Sequence, residues 1–191
     1  MQGENAVRKD EVPAFPRDTE IVVGRKKEPS ILRDFLMLLM KIGFIAGFTA
    51  ILFTFVFGIT QAADNSMAPA VRAGDIILYY RLDKSYIKDD AIVVNENGGM
   101  QVRRVEAVAG DTVDFDENGF LVNTNLQVEE DIYTETLPVT GGPTYPVTLS
   151  DDQVFVLGDN REAAVDSRVY GPVSISGTCG KVMTVIRRRG I

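Results

Sequence analysis

Residues 42–63 read IGFIAGFTAILFTFVFGITQAA, an apolar run of 22 residues without a charged side chain. A helix needs about 20 such residues to cross the hydrocarbon core of a bilayer. Beyond Lys41 the apolar character extends back through residues 35–40, so we expect the helix to begin near Leu32. The sequence therefore predicts one transmembrane helix over residues 32–63.

The charges on the two sides of this run predict its orientation. Five basic residues precede or open it, namely Arg25, Lys26, Lys27, Arg33 and Lys41. The first basic residue after it is Arg72. By the positive-inside rule the N-terminus is cytoplasmic and the C-terminal domain extracytoplasmic. We expect a single-pass protein of the cell membrane, with the lipid bilayer as a partner and residues 1–31 as a mostly disordered polar tail.

A cleaved secretory signal is the alternative for this segment, because Thr60-Gln61-Ala62 has a small-x-small pattern. Such a signal has an apolar region of about 7–15 residues close to the N-terminus. The run here is longer, and about forty residues precede it. Both features favour a retained anchor.

Composition excludes several kinds of chemistry. The net charge of −7 argues against nucleic acid as a partner, because binding phosphates needs a basic face. The chain has no histidine, which removes Ser-His-Asp and Cys-His mechanisms. Its single cysteine, Cys179, excludes an internal disulfide and a multi-cysteine zinc site. We expect no metal and no cofactor, and chemistry carried by serine, lysine, carboxylates or backbone amides.

After the membrane segment the pattern changes to short runs rich in β-branched residues, bounded by turn signals such as Asn118-Gly119. The predicted strands are Asp75–Tyr80, Ala91–Val94, Gln101–Val108, Thr112–Phe115, Phe120–Val122, Gln153–Leu157 and Lys181–Ile186. This pattern predicts a mainly β protein, with an antiparallel all-β domain over residues 64–191. Residues 129–148, rich in proline and glycine, are predicted to form an exposed inserted loop.

Four short motifs follow one another in this outer domain. They are Asn65-Ser66-Met67-Ala68-Pro69, Gly74-Asp75, Arg103-Arg104 with Gly110-Asp111, and Gly158-Asp159-Asn160-Arg161 with Asp166-Ser167-Arg168 and Gly171. In this order and spacing the chain resembles the bacterial type I signal peptidases (leader peptidases), and in size their compact Gram-positive form. The resemblance runs from about Leu32 to the end of the chain. It implies a signal-peptidase-like β domain behind a membrane anchor.

The resemblance also implies roles for individual residues. Ser66 falls on the nucleophile, and Met67 on the residue that packs beneath it. The stretches that hold an extended substrate correspond to residues 61–66 and 100–103, which gives Gln61, Asp64, Asn65, Met100, Gln101 and Val102 as further substrate-binding residues. The remaining matches are structural residues near the site, namely Arg104, Asp159, Arg161, Ala164, Asp166, Ser167 and Arg168.

The chain departs from the family pattern at three positions. The family uses a neutral lysine as the general base, but that position is Arg103 here, and a guanidinium has no lone pair to accept a proton. The serine that orients the lysine is replaced by Ala164. A carboxylate at Asp64 is expected to repel a developing oxyanion. Three lysines elsewhere are candidates for a replacement base, namely Lys84, Lys88 and Lys181.

Two functions follow from this pattern. The first is a membrane-bound serine endopeptidase that removes signal peptides from exported preproteins after small-x-small sequences. The second is a peptidase-like protein that binds extended export substrates without cutting them. Non-cutting relatives of the family are associated with surface pilus assembly beside sortases, so the second function implies pilins and the sortase machinery as partners.

Overall fold

The computed structural model describes residues 30–96, 98–128, 132 and 134–187. The predicted tail therefore lies outside the described residues, except for its last two. The chain divides into two compact units, Met1–Lys41 and Ile42–Ile191, and the second carries the strands. Within the described ranges the elements are α1 (Ile31–Ile51), β1 (Phe57–Gln61), β2 (Ile76–Tyr80), β3 (Ala91–Glu96), β4 (Gly99–Ala107), β5 (Thr112–Asp116), β6 (Gly119–Val122), β7 (Asn125–Leu126), β8 (Val147–Thr148), β9 (Gln153–Leu157), α2 (Ser167–Tyr170), β10 (Val173–Ser174) and β11 (Thr178–Ile186).

Helix α1 continues into a π-helical turn, Leu52–Val56, and the combined 26 residues are long and apolar enough to cross a membrane. None of the side chains in α1 is buried. The prediction of a helix over residues 32–63 is wrong at its C-terminal end, because residues 57–61 form strand β1. This strand pairs antiparallel with β2, and Gly58 lies against the ring of Tyr79, where a side chain would clash. Tertiary pairing therefore ends the helix about seven residues before the apolar run ends.

The predicted antiparallel β fold is confirmed. A seven-stranded sheet has the order β1-β2-β11-β3-β4-β9-β10, and a four-stranded sheet has the order β7-β6-β5-β8. Each of the seven predicted strands is present, and β5 and β6 form the hairpin that Asn118-Gly119 predicts. Strands β1, β7, β8 and β10 were not predicted, three of them because two residues are too few to show a period.

Three clusters of buried apolar residues hold the strands together. The cluster that bears on function joins β2, β3 and β4 with the segment between β1 and β2. Its buried members are Met67, Val71, Ile77, Tyr79, Val93 and Val102. This packing fixes the start of the β1–β2 link against β4.

The predicted exposed loop over residues 129–148 is wrong at its C-terminal end. Val147 and Thr148 form β8, which pairs with β5. Tyr145 is half-buried, with its ring centroid 4.6 Å from that of Phe115. Burial of an aromatic ring outweighs the preference of the neighbouring glycines and prolines for irregular backbone. Residues 129–131 and 133 lie outside the described residues.

Candidate active site

Ser66 and Arg103 meet at the centre of the site. Ser66 lies in the link between β1 and β2, and Arg103 lies in β4. Arg103 Nη1 donates a hydrogen bond of 2.7 Å to Ser66 Oγ. Both residues are buried, with 2% and 1% of their surface exposed, respectively. The structure thus brings together the predicted nucleophile and the residue at the predicted general-base position.

The Arg103 guanidinium is held by carbonyl groups on its other sides. Its Nε and Nη2 donate to the carbonyl of Val165 at 3.2 and 2.8 Å, and Nη1 also donates to Val102 O at 2.6 Å. Because a guanidinium only donates, this arrangement stabilises negative charge on the serine oxygen but accepts no proton from it. The nearby hydroxyl of Tyr170 is buried, and burial raises the pKa of Tyr170 despite the charge of Arg103.

Asp64 is the carboxylate nearest to the serine along the chain. Its Oδ1 accepts the backbone N–H of Ser66 at 2.9 Å. Partial burial by itself raises the pKa of Asp64. The hydrogen bonds from the Ser66 hydroxyl and backbone, together with the charge of Arg103, outweigh this effect and lower the pKa below its ordinary value. Asp64 is therefore ionised at neutral pH.

A small pocket opens beside the serine. It is formed by the residues just after β1 on one side and by β4 on the other. The lining residues are Ala62, Ala63, Asp64, Ser66, Met67, Val71, Met100, Gln101 and Val102. These include every predicted substrate-binding residue except Gln61 and Asn65. Gln61 ends β1, where its amide donates to the carbonyl of Gly74, and the Asn65 side chain accepts the N–H of Ala73.

The turn at Gly158-Asp159-Asn160 supports the backbone of Ser66. The N–H of Asn160 donates to Ser66 O at 2.9 Å. A Cβ atom on Gly158 would lie 2.6 Å from the same oxygen and would also overlap Ala164. Only glycine fits this close approach. The side chain of Ala164 packs against this turn.

The charged residues of the last two motifs form a buried scaffold. Asp166 is fully buried, caps α2 and accepts two bonds of 2.9 Å from the Arg168 guanidinium. Asp166 also accepts the N–H of Gly158 at 3.1 Å, which links this pair to the supporting turn. The other predicted structural contacts are Arg104 with Asp159, Arg161 with Glu106 and Thr136, and Ser167 Oγ with the N–H of Val156.

The three lysines considered as a replacement base bind elsewhere. Lys84 donates to the carbonyls of Ile175 and Thr178, Lys88 donates to Gln127, and Lys181 pairs with Asp90. The described part of the chain brings no lysine into contact with Ser66. Three or more metal-ligating side chains do not converge anywhere in that part either.

Four residues contribute to the site in ways that the sequence does not reveal. The carbonyl of Val165 binds Arg103, but a backbone acceptor leaves no trace in the residue pattern. Glu106, which is buried, and Tyr170, which is half-buried, are isolated polar residues in strand or helix context. The small residue at Gly158 was recognised only as part of a turn, although its proximity to Ser66 O is what the motif needs.

The site thus consists of a buried serine hydroxyl beside a small pocket, with a cation and a carboxylate next to it, in an antiparallel β domain. The particular family follows from sequence. Residues 35–186 match the family described as signal peptidase, peptidase S26, and the chain belongs to this family of serine endopeptidases.

Relatives with curated names are distant. Over 154 residues the chain is 29% identical to the probable thylakoidal processing peptidase 2 of Arabidopsis thaliana, a match that covers 71% of this chain and 41% of that protein. It is 27% identical over 143 residues to signal peptidase I of Bacillus amyloliquefaciens, covering 65% of this chain and 74% of the relative. A crystal structure of a signal peptidase I from Enterococcus faecalis aligns with a TM-score of 0.43 at 23% identity, over 52% of this chain and 97% of that one.

Proposed function

We propose that this protein is a membrane-bound endopeptidase of signal peptidase I type. It cleaves the signal peptides of exported proteins after small-x-small sequences, with Ser66 as the nucleophile. The observation that carries the proposal is the position of Ser66 Oγ, which is buried beside a pocket between the end of β1 and β4. Membership of a serine endopeptidase family supports the reaction class.

The size of the pocket supports the preference for small side chains. It has room for about one sphere the size of a water molecule. The walls include the buried side chains of Met67, Val71 and Val102. An alanine methyl group fits such a space, whereas a larger side chain has to displace packed residues.

The arrangement of strands supports binding of an extended peptide. β1 is an outermost strand of the seven-stranded sheet, and residues 61–66 continue from its end past the serine. A peptide in the groove can form main-chain hydrogen bonds with these residues and with residues 100–103 of β4. With the N-terminus cytoplasmic, the domain that carries this groove is extracytoplasmic, the side on which exported preproteins emerge.

The test compares the purified full chain in detergent with its Ser66→Ala variant, on a signal-peptide substrate that ends in Ala-x-Ala. We expect cleavage after the last alanine, and a rate about 10²-fold or more lower for the variant. Unfolding by urea should be the same for both proteins, which excludes a folding defect. Equal cleavage rates for the two proteins would rule out this function.

A second function is supported by the Arg103–Ser66 contact, in which a donor-only group stands where a proton acceptor is required. In this case the protein binds extended export substrates, pilins among them, without cutting them, and acts beside sortase in pilus assembly. Peptide binding that persists in Ser66→Ala, with no cleavage by either protein, would favour this function. Neighbouring genes for a pilin and a sortase would favour it further.

A further inference from the structure

The hydrogen bonds around Ser66 have a fixed direction. Arg103 Nη1 donates to Ser66 Oγ, and a guanidinium has no acceptor with which to receive a bond in return. The hydroxyl proton of Ser66 therefore does not lie between these two groups. It is available to a different partner.

That partner is Asp64. Its carboxylate accepts the backbone N–H of Ser66 at 2.9 Å and lines the same pocket as Ser66. The Ser66 side chain is also among the groups that lower the pKa of Asp64. A carboxylate accepts bonds and donates none when it is ionised. Ser66 thus contacts a donor, Arg103, through Oγ and an acceptor, Asp64, through its backbone N–H.

We propose that Asp64 is the proton acceptor for Ser66, with Arg103 as the charge that stabilises the serine oxygen. This proposal rests on the proposed peptidase function. As Ser66 Oγ forms a bond to the scissile carbonyl carbon, its proton passes to Asp64 and the carbonyl π electrons move to oxygen. When the tetrahedral intermediate collapses, the C–N bond breaks and Asp64 returns the proton to the leaving amine.

The same transfer removes the expected obstacle at this position. An ionised Asp64 both repels an oxyanion and occupies the N–H of Ser66, a donor of the kind that oxyanion holes use. Once protonated, Asp64 is neutral and holds this N–H less strongly, so the N–H can turn to the oxyanion. Because its pKa is lowered, Asp64 is a weak base, and the chemistry it supports is slow.

The experiment measures the acylation of Ser66 by p-nitrophenyl acetate, whose acetyl group is small enough for the pocket. Attack forms the ester on Oγ and releases p-nitrophenolate, while the proton moves to Asp64. The full chain in detergent is compared with Asp64→Asn, Ser66→Ala and the control Asp151→Asn, an exposed turn residue of β8–β9. Acetylation at residue 66 is followed by peptide-mapping mass spectrometry, which separates it from reaction at lysines.

The asparagine at residue 64 keeps an oxygen that can accept the Ser66 N–H but is not a base. We therefore expect acetylation of Ser66 about 10²–10⁴-fold slower in Asp64→Asn, and an unchanged rate in Asp151→Asn. The Ser66 rate of the unmodified protein should stay flat between about pH 6 and about pH 8, because Asp64 is ionised and the facing Arg103 is charged throughout. A lysine base would give a rate that rises with pH.

Two results would overturn the proposal. One is a rate of Ser66 acetylation in Asp64→Asn that equals or exceeds that of the unmodified protein. The other is acetylation of Ser66 in the unmodified protein that does not exceed the background at neighbouring serines. Neither result depends on peptide cleavage. If Ser66 is acetylated through Asp64 but no signal peptide is cut, the proposed function fails while the proton-acceptor role stands.

Discussion

The guanidinium of Arg103 and the hydroxyl of Ser66 lie 2.7 Å apart in a buried setting, although 37 residues separate them in the chain. The contact joins strand β4 to the link that follows β1. It places a permanent positive charge next to the atom that acts as the nucleophile in the proposed function. Such a charge favours the alkoxide form of serine, but the proton has to leave to another group.

Replacement of Arg103 by methionine should lower the free energy of unfolding. The Val165 carbonyl would lose both of its bonds from the guanidinium and the Val102 carbonyl one more, and each such hydrogen bond contributes about 0.5–1.5 kcal/mol. Urea unfolding of the full chain in detergent measures this loss. Arg72→Met, at an exposed position, is the control and should stay within about 0.5 kcal/mol. Equal stability of the two variants would contradict the role given to Arg103.

Replacement of Asp166 by asparagine should be more severe. This residue is fully buried, and its loss of charge leaves the Arg168 guanidinium without its partner in a buried setting, which costs about 3–5 kcal/mol. The Lys181–Asp90 pair is partly exposed and serves as the comparison, because Lys181→Met should cost about 0–1 kcal/mol. A loss for Asp166→Asn no larger than that for Lys181→Met would show that the buried pair is not part of the scaffold.

A methyl group at residue 158 should disturb the site directly. In Gly158→Ala the new Cβ overlaps Ser66 O and Ala164, so the supporting turn has to move, at about 1–3 kcal/mol. We expect a lower unfolding midpoint and slower cleavage of the signal substrate. Gly177→Ala is the matched control, since a Cβ there meets nothing within 4 Å. Normal cleavage by Gly158→Ala would argue against support of Ser66 by this turn.

The lysines outside the site should be dispensable for cleavage. Lys84, Lys88 and Lys181 each donate to groups other than Ser66. Their single replacement by methionine should change the cleavage rate by no more than about twofold, far less than the 10²–10⁴-fold that accompanies loss of a general base. Initial rates on the Ala-x-Ala substrate provide the measurement. A hundredfold loss in any one variant would identify that lysine as the base.

The strands were predictable because their period and turn residues are local properties of the sequence. Residues 57–61 were assigned to the helix, since an apolar run does not show where a neighbouring strand will pair with it. Likewise, packing of Tyr145 against Phe115 depends on residues thirty positions apart, which no local pattern reveals.

The order of the motifs was enough to predict that Ser66 and Arg103 share a site. The sequence also singles out Asp64, but as a carboxylate that would repel a developing oxyanion. Its hydrogen bonds to Ser66 depend on the turn after β1 and on the direction in which Arg103 donates, and both need coordinates. Residue types alone therefore locate the site, but they do not show which group donates a hydrogen bond to Ser66 and which group accepts one from it.

The most direct test of the account is backbone hydrogen exchange of the full-length Ser66→Ala protein in detergent, with and without an extended peptide ending in Ala-x-Ala. A peptide with phenylalanine as its last residue is the control. Slower exchange confined to residues 61–67 and 99–103, and absent with the control peptide, is the predicted result. Protection only at residues 117–128 and 134–137, which lie outside the Ser66 pocket, or no protection at all would contradict the claim that this pocket receives the export peptide.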